Sequence, residues 1–300
     1  MAGAKASWAW YIWMKMHCAM FIRGIIRGAV LCVALAVTVL LSCSFDPGPP
    51  PPRYDHVVIV MEENHSAAQV LGSPYLSSLA ARGTSFSAMY GITHPSQPNY
   101  FALFSGSTQG VTDDNPHSFS TPNLADRLIT AGLSFATYSE DLPSAGDTVF
   151  TSGRYVRKHN PCASFSNLPG PTVNLPFTRY PSADYTQLPT VSFVIPNLDN
   201  DMHDGTVAAG DSWLQANLDG YSLWAESHNS LLIVTFDECA GNDPVPTTPI
   251  ATIFVGSSVR QFVSPQRLTL YSLLRMVEDI YGLPYLGQEA SAPRIIGAWK

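Results

Sequence analysis

Continuous apolar runs alternate along the chain with segments whose apolar residues recur at helical spacing. The clearest run, residues 56–61, is rich in β-branched residues and ends at acidic residues, as a buried parallel strand does. Residues 268–281 have a helical period that stops at Gly282, which is typical of a helix C-terminus. We predict strands at 56–61, 135–138, 190–195, 231–236 and 250–255, and helices at 75–82, 99–103, 123–131, 211–224 and 268–281.

This alternation predicts an α/β fold with a mostly parallel central sheet and helices on both faces. In such sheets, ligands bind just beyond the carboxyl ends of the strands. Polar clusters stand at three predicted strand ends: residues 62–64, 197–204 and 237–238. The sequence therefore places a candidate site at that edge of the sheet.

The first 42 residues have the pattern of an export signal. Arg23 and Arg27 precede an apolar run at 29–41, which is short for a membrane span. The run closes in Leu-Leu-Ser-Cys43, which resembles a bacterial lipobox, so we predict a lipid on Cys43. An uncleaved anchor or a secreted form is the alternative, and the true start is left open among the first methionines. The predicted organisation is a signal peptide at 1–42, a lipidated Cys and proline-rich spacer at 43–53, and one domain at 54–300, exported and held at the cell envelope.

The charge distribution excludes one class of partner. The chain carries a formal charge of −7, and its first 42 residues contain basic residues and no acid, so the rest is still more acidic. Nucleic-acid binding depends on neutralising phosphates with basic side chains. A bound cation can, however, supply local positive charge for a small phosphate ester. We therefore expect a small-molecule phosphate ester as partner and no nucleic acid.

Glu63-Asn64 and Asp237-Glu238 are candidate metal ligands. They supply oxygen-bearing side chains at the ends of two predicted strands, and such groups bind hard or borderline cations. Each cluster could instead cap a following helix or turn.

Ser96 is a candidate nucleophile because of the residues around it. Pro95 and Pro98 restrain the backbone on both sides, and the predicted helix beginning near Asn99 would turn its amino end towards an anion. A serine beside a cation can lose its proton and attack phosphorus. The alternative is a structural turn in which Ser96 caps the helix.

The roles of two further segments, and the pairing of two cysteines, are not decided by the sequence. Asp199 and His203 are four residues apart in a ligand-rich loop, which could equally be a polar surface turn. His159 could contact phosphate, protonate a leaving group or be structural. Cys162 and Cys239 could form a disulfide or stay free, because an exported protein permits either.

Six ordered motifs resemble the phosphoesterase family of the alkaline phosphatase superfamily, which includes bacterial and fungal acid phosphatases and bacterial phospholipases C. The resemblance runs from about residue 56 to residue 287. The motifs are MEENHS (61–66), THPSQPNYFALFSG (93–106), YSEDLP (138–143), KHNP (158–161), PNLDNDMHDG (196–205) and TFDE (235–238).

The resemblance implies an alkaline-phosphatase-like fold and attack by Ser96 through a phosphoserine intermediate. The roles that it implies are metal ligation by Glu63, Asn64, Asp237, Glu238 and Ser96, catalysis by Ser96, His203 and His159, and substrate binding by Lys158, Asp204 and Asn99.

The resemblance also bears on the cofactor. Related enzymes with two metals use an Asp and a His four apart plus a later His, and no His follows His228 here. We therefore expect one divalent cation, with calcium, magnesium, manganese and zinc all open, and His203 donating hydrogen bonds where a second ion would sit. The expected activity is phosphate monoester hydrolysis. The alternatives are a phospholipase C acting on phospholipid headgroups and a non-catalytic phosphate-binding lipoprotein.

Overall fold

The computed structural model of the chain describes residues 49–241 and 243–300. The predicted signal peptide at 1–42 and the predicted lipidation site at Cys43 lie outside the described residues and stay predictions. Of the proline-rich spacer, residues 49–53 are described and form no helix or strand. No helix among the described residues has both the length and the apolar character needed to span a membrane.

The centre of the fold is an eight-stranded sheet in the order β11-β2-β10-β9-β1-β8-β4-β7. Strands β9, β1, β8, β4 and β7 run parallel, whereas β10 pairs antiparallel with both β9 and β2. The predicted mostly parallel α/β fold is therefore confirmed. The strands of this sheet are β1 (His56–Glu62), β2 (Thr84–Phe86), β4 (Phe135–Ser139), β7 (Asn174–Pro176), β8 (Val191–Ile195), β9 (Ser230–Phe236), β10 (Thr252–Gly256) and β11 (Phe262–Ser264).

Two small ribbons stand apart from this sheet. One is parallel and joins β3 (Met89–Tyr90) to β12 (Leu268–Thr269). The other is an antiparallel hairpin of β5 (Thr151–Ser152) and β6 (Tyr155–Val156), whose two-residue turn contains Gly153 at φ 55°. A positive φ suits glycine because it has no Cβ.

All five predicted helices are present, with shifted ends. One shift matters for the site, because α3 begins at Ser96 and not near Asn99. Pro98 is compatible with this, since the first turn of a helix has no internal partner for its backbone amides. The helices are α1 (Ala67–Val70), α2 (Pro74–Arg82), α3 (Ser96–Ser105), α4 (Leu124–Thr130), α5 (Gly170–Val173), α6 (Val207–Ser227) and α7 (Leu270–Tyr281), with short 3₁₀ turns that include Arg157–His159.

The sheet core aligns the ends of its two central strands. β1 and β9 are buried throughout apart from His56, and their parallel register pairs Glu62 with Phe236, the last residue of each strand. The backbone amide of Asp237 donates to the Glu62 carbonyl at 3.0 Å, which continues the ladder by one residue. Glu63 and Asp237 therefore start their loops at the same level of the sheet.

The helices form layers that cover the sheet. α2 and α6 pack on each other and on β10, and α6 also covers β9. The carboxylate of Asp211 in α6 accepts the amides of Tyr75 and Leu76 at 2.9 Å each, so it caps α2. α3 packs against α7 and α4. This layer positions the first turn of α3 over the strand ends.

Candidate active site

Carboxylates from the ends of β1 and β9 form the floor of the candidate site. Glu63 and Asp237 are completely buried, and Glu238 is 5% exposed. The Asn64 amide donates to Asp237 Oδ1 at 3.1 Å, with Asn64 in the left-handed region at φ 54°. Asparagine adopts this conformation more readily than most residues. The two predicted clusters thus lie side by side.

Ser96 faces these carboxylates from the first turn of α3. Its hydroxyl donates to Glu63 Oε2 at 2.8 Å, and the side chain is 2% exposed. Burial raises the pKa of the neighbouring Asp237 carboxyl. Pro95 precedes the helix in extended conformation and offers no side-chain cap. The hydroxyl therefore points at the predicted metal ligands.

Asn99 holds the loop that carries Ser96. Its Oδ1 accepts the amides of Ile92 at 2.8 Å and Thr93 at 3.1 Å. Its Nδ2 donates to the carbonyls of Thr93 and Pro95 and to Glu238 Oε2, at 2.8, 3.2 and 3.1 Å. Because the amide is used within the protein and is fully buried, it has a structural position and not that of the implied substrate contact.

His159 is buried between two carboxylates. Its Nε2 lies 3.2 Å from Glu63 Oε1, and its Nδ1 lies 3.1 Å from Asp201 Oδ2. Burial, followed by the charge of Lys158, lowers its pKa well below the usual value. The ring is 1% exposed, so this geometry positions Glu63, and it does not present His159 to a leaving group.

Lys158 and His203 form the more open side of the site. Lys158 Nζ lies 3.2 Å from His203 Nε2, and His203 Nδ1 lies 2.7 Å from Asp204 Oδ1. The His203 side chain is 26% exposed. Burial would lower the pKa of Lys158, but the charges of Glu63 and Asp114 outweigh it and raise that pKa. The ammonium is therefore charged at neutral pH.

Two acids of the 197–205 loop point away from the pocket. Arg154, in the turn of the β5–β6 hairpin, donates to Asp204 Oδ2 at 2.6 Å and pairs with Asp199 Oδ1 at 2.8 Å. Asp204 thus contacts His203 and Arg154. Its implied contact with the substrate stays a prediction. Asp199 and His203 do not converge on one point, because Asp199 turns to the guanidinium.

A divalent cation fits this set of residues. Asp237 Oδ2 is buried with no hydrogen-bond partner among the described residues. Burial, then the neighbouring Asp237 and Asp201, raises the pKa of Glu63 well above its usual value, and burial, then Asp237, raises that of Glu238 to about 8. Carboxyls crowded away from water either hold a proton or, when ionised, need a compensating cation. A cation would also give the unpartnered Asp237 Oδ2 a partner.

A second ligand-capable group overlaps the first. One ligand atom each from Glu63, His159 and His203 lie within 4.8 Å of one another. Both histidines were expected to act in catalysis or phosphate contact and were not among the predicted metal ligands. Of that predicted set, this group contains Glu63 alone.

Four residues that contact the predicted site had no assigned role at the sequence level. Asp201 lies in a loop whose acidic density was visible, whereas the sequence carries no signal that separates Asp114 from its neighbour Asp113. His94 and Tyr100 lie within the motif around Ser96, but their partners are distant in sequence. The four are His94, which contacts Glu238; Tyr100, which donates to Glu63; Asp114, which contacts Lys158; and Asp201, which contacts His159.

The two cysteines of the body are free thiols. Cys162 and Cys239 are both buried, and each has its own backbone carbonyl neighbour, Val173 at 3.9 Å and Asp243 at 3.4 Å. The sequence left open whether Cys162 and Cys239 form a disulfide, and in the structure they do not.

Comparison with known proteins agrees with this architecture. A profile of the Phosphoesterase family matches residues 73–284. Phosphatidylinositol-3-phosphatase of Mycobacterium tuberculosis is 44% identical over 278 residues, covering 91% of this chain and 88% of that protein. Phosphate-repressible acid phosphatase of Penicillium chrysogenum is 30% identical over 255 residues, covering 78% of this chain but 61% of that protein.

A solved structure supports the fold independently of sequence. A protein of the alkaline phosphatase superfamily from Vibrio parahaemolyticus superposes with a TM-score of 0.56 at 13% identity, over 82% of this chain and 72% of that chain. The family profile, the 44% identical relative and the shared fold agree. This chain belongs to the Phosphoesterase family and is a hydrolase of phosphoric esters.

Proposed function

We propose that this protein is a metal-dependent phosphatase that hydrolyses phosphate monoesters through a phosphoserine intermediate on Ser96. The observation that carries the proposal is the 2.8 Å hydrogen bond from the Ser96 hydroxyl to Glu63, beside the buried Asp237. A hydroxyl aimed at a cluster of buried carboxylates is the arrangement expected of a nucleophile activated by a cation.

The residues that would hold one divalent cation are those at the two strand ends together with the nucleophile. When bound, the cation supplies positive charge that favours the ionised hydroxyl and stabilises the phosphoryl oxygens. The proposed ligands are Glu63, Asn64, Asp237, Glu238 and Ser96.

The protein's own residues then orient the substrate and move protons. Glu63 Oε2 holds the Ser96 Oγ in place, and the amino end of α3 favours an anion near it. The Lys158 ammonium neutralises phosphate charge. As the Ser96 hydroxyl proton passes to Glu63 Oε2, Oγ bonds to phosphorus, the bond to the leaving oxygen breaks, and that oxygen takes a proton.

His203 is the proposed proton donor. Asp204 orients the ring through Nδ1, and Nε2 accepts from the Lys158 ammonium in this structure. His203 Nε2 can pass a proton to the leaving oxygen once the phosphate has drawn Lys158 Nζ away and Nε2 has taken up that proton. Its partial exposure allows contact with a substrate, whereas His159 is shielded. Water then attacks the phosphoserine and gives a proton to His203. The Oγ–P bond breaks, Ser96 Oγ recovers its proton from Glu63, and phosphate leaves.

The substrate class follows from the names of the relatives. They are phosphatases, and they support a monoester over the phospholipase C alternative and over a binding protein without turnover. The name of the mycobacterial relative makes a phosphorylated inositol lipid headgroup a candidate substrate. We also propose export and a lipid anchor on Cys43, which would hold the site beside a membrane.

The test compares Ser96→Ala with Ser105→Ala, which removes a hydroxyl at the other end of the same helix. With p-nitrophenyl phosphate, Ser96→Ala should lose turnover, and Ser105→Ala should keep it. Acid quenching during turnover, followed by mass spectrometry, should find phosphate on Ser96. Turnover by Ser96→Ala would overturn the mechanism, and faster hydrolysis of phosphatidylcholine than of p-nitrophenyl phosphate would favour a phospholipase C.

A further inference from the structure

Asp114 connects two parts of the site that are far apart in sequence. It lies in the loop between α3 and α4, and its side chain is 30% exposed. Its Oδ1 accepts the backbone amide of Gln97 at 3.0 Å, and its Oδ2 lies 3.0 Å from Lys158 Nζ. Gln97 directly follows Ser96. The Asp114 carboxylate thus contacts both α3, which carries Ser96, and the Lys158 ammonium.

We propose that Asp114 is a positioning residue for phosphoryl transfer, holding the first turn of α3 and the Lys158 ammonium in a fixed relation. The proposal rests on the function proposed above. It assigns a role to a residue outside the predicted set of metal ligands, nucleophile and phosphate contacts.

The contact with Gln97 caps the helix that begins at the nucleophile. The first amides of a helix have no internal acceptor, and Pro95 at the capping position offers no side-chain oxygen. Asp114 supplies the missing acceptor from a separate loop. Its negative charge also interacts favourably with the helix dipole at the amino end of α3. Asp114 therefore orients the backbone on which the Ser96 hydroxyl is carried.

The contact with Lys158 fixes a side chain that is otherwise flexible. Lysine carries a point charge on a four-carbon stem and needs partners to hold one position. The fully buried Glu63 also attracts this ammonium. Without Asp114, Lys158 would be drawn towards the carboxylate that accepts the Ser96 hydroxyl. Asp114 keeps the charge at the side of the pocket where His203 Nε2 lies, 3.2 Å away.

The chain contains a matched control for this assignment. Asp113 is adjacent, has the same charge, and lies in the same loop. Its Oδ1 contacts His117 Nε2 at 2.8 Å and the Asn115 amide at 2.9 Å. Within the described part of the chain, Lys158 and Gln97 bond to Asp114 and not to Asp113. If the negative charge of the loop acts generally, substituting either aspartate should weaken phosphate binding. If Asp114 positions Lys158, only the Asp114 substitution should do so.

The experiment measures kcat and KM for Asp114→Asn and Asp113→Asn, together with inhibition by inorganic phosphate. In Asp114→Asn, the amide can still accept from Gln97 but no longer attracts Lys158. We expect KM and the phosphate inhibition constant to rise about tenfold, with a smaller fall in kcat. Asp113→Asn should match the wild type. Asp114→Glu, which restores the charge, should recover most of the lost phosphate affinity and also serves if Asp114→Asn does not fold.

A double-mutant cycle with Lys158→Ala tests whether Asp114 acts through Lys158. If Asp114 acts through Lys158, Asp114→Asn should change the phosphate inhibition constant little once Lys158 is alanine. Fully independent effects, or an Asp114→Asn protein that behaves like Asp113→Asn, would overturn the positioning role while leaving the proposed function intact. Turnover by Ser96→Ala would instead remove the function on which the proposal rests.

Discussion

The ring of Tyr100 stacks on the imidazole of His159, with centroids 5.3 Å apart and planes 10° from parallel. The two rings approach the same oxygen, since the Tyr100 hydroxyl donates to Glu63 Oε1 and His159 Nε2 lies 3.2 Å from it. The other oxygen of Glu63 accepts the Ser96 hydroxyl. The stacked pair therefore restrains the carboxylate that holds the proposed nucleophile.

Removing the Tyr100 hydroxyl should weaken both the fold and the reaction. Tyr100→Phe keeps the stacked ring but removes the hydroxyl that donates to Glu63 Oε1, so that His159 Nε2 at 3.2 Å is left to contact this oxygen. Losing a buried donor in this way lowers the free energy of unfolding by about 1–3 kcal/mol. We expect kcat to fall about tenfold, because the acceptor of the Ser96 hydroxyl is less constrained. Urea unfolding and steady-state kinetics measure the two effects.

Tyr281→Phe is the control for that substitution. Its hydroxyl lies 3.2 Å from the Tyr54 carbonyl and 3.3 Å from the Thr190 carbonyl, at the amino edge of the sheet. Tyr281→Phe should lower the free energy of unfolding by an amount similar to that of Tyr100→Phe, without changing kcat. If both variants lose activity equally, the effect of Tyr100 on turnover is one of stability alone.

Asp204 and Asp199 should differ in their effect on turnover. Both pair with Arg154, but only Asp204 contacts His203. Asp204→Asn should reduce kcat about tenfold, because it weakens the contact that orients the ring of the proposed proton donor. Asp199→Asn should leave kcat unchanged, and equal rates in the two variants would contradict proton donation by His203.

Asp237→Asn should weaken metal binding. The substitution replaces a charged ligand with a neutral one. Changes to groups that only support a metal ligand cost about 10–100-fold in metal affinity or activity, so the loss of a ligand's charge should cost at least as much. Metal content after dialysis, measured with activity, tests this. Asp279→Asn is the control, since Asp279 pairs with Arg275 and Arg294. Wild-type metal content in the Asp237 variant would remove that residue from the ligand set.

Removing the cation should lower both activity and thermal stability. The buried Glu63 and Asp237 carboxylates crowd together, and a ligand bound only by the folded state stabilises it by about 2.7 kcal/mol at 100 times its Kd. Chelation should therefore lower the melting temperature, and adding a divalent cation should restore it. Titration should reach one equivalent per chain, and two equivalents, both required for turnover, would contradict a single site.

The strands and helices with strong local patterns could be predicted from the sequence. The runs that became β1, β8 and β9 are long and β-branched, and the predicted ends differ from the observed ones by one residue. The short strands β2, β7 and β11 went unpredicted because three residues carry almost no periodic signal. Their conformation depends on pairing with distant segments.

The sequence by itself determined which side chains gather at the strand ends, because a buried β-branched run followed by acids has one stable place in a parallel sheet. It pointed to Ser96 through the flanking prolines and to Glu63 and Asp237 through their strands. Only the tertiary structure decided which neighbours each group contacts. Asp114 lies against Lys158 and Asp113 does not, and Asp204 lies against His203 while Asp199 does not. Such choices depend on loop direction and on distances of a few ångströms between segments remote in the chain, which no local pattern encodes.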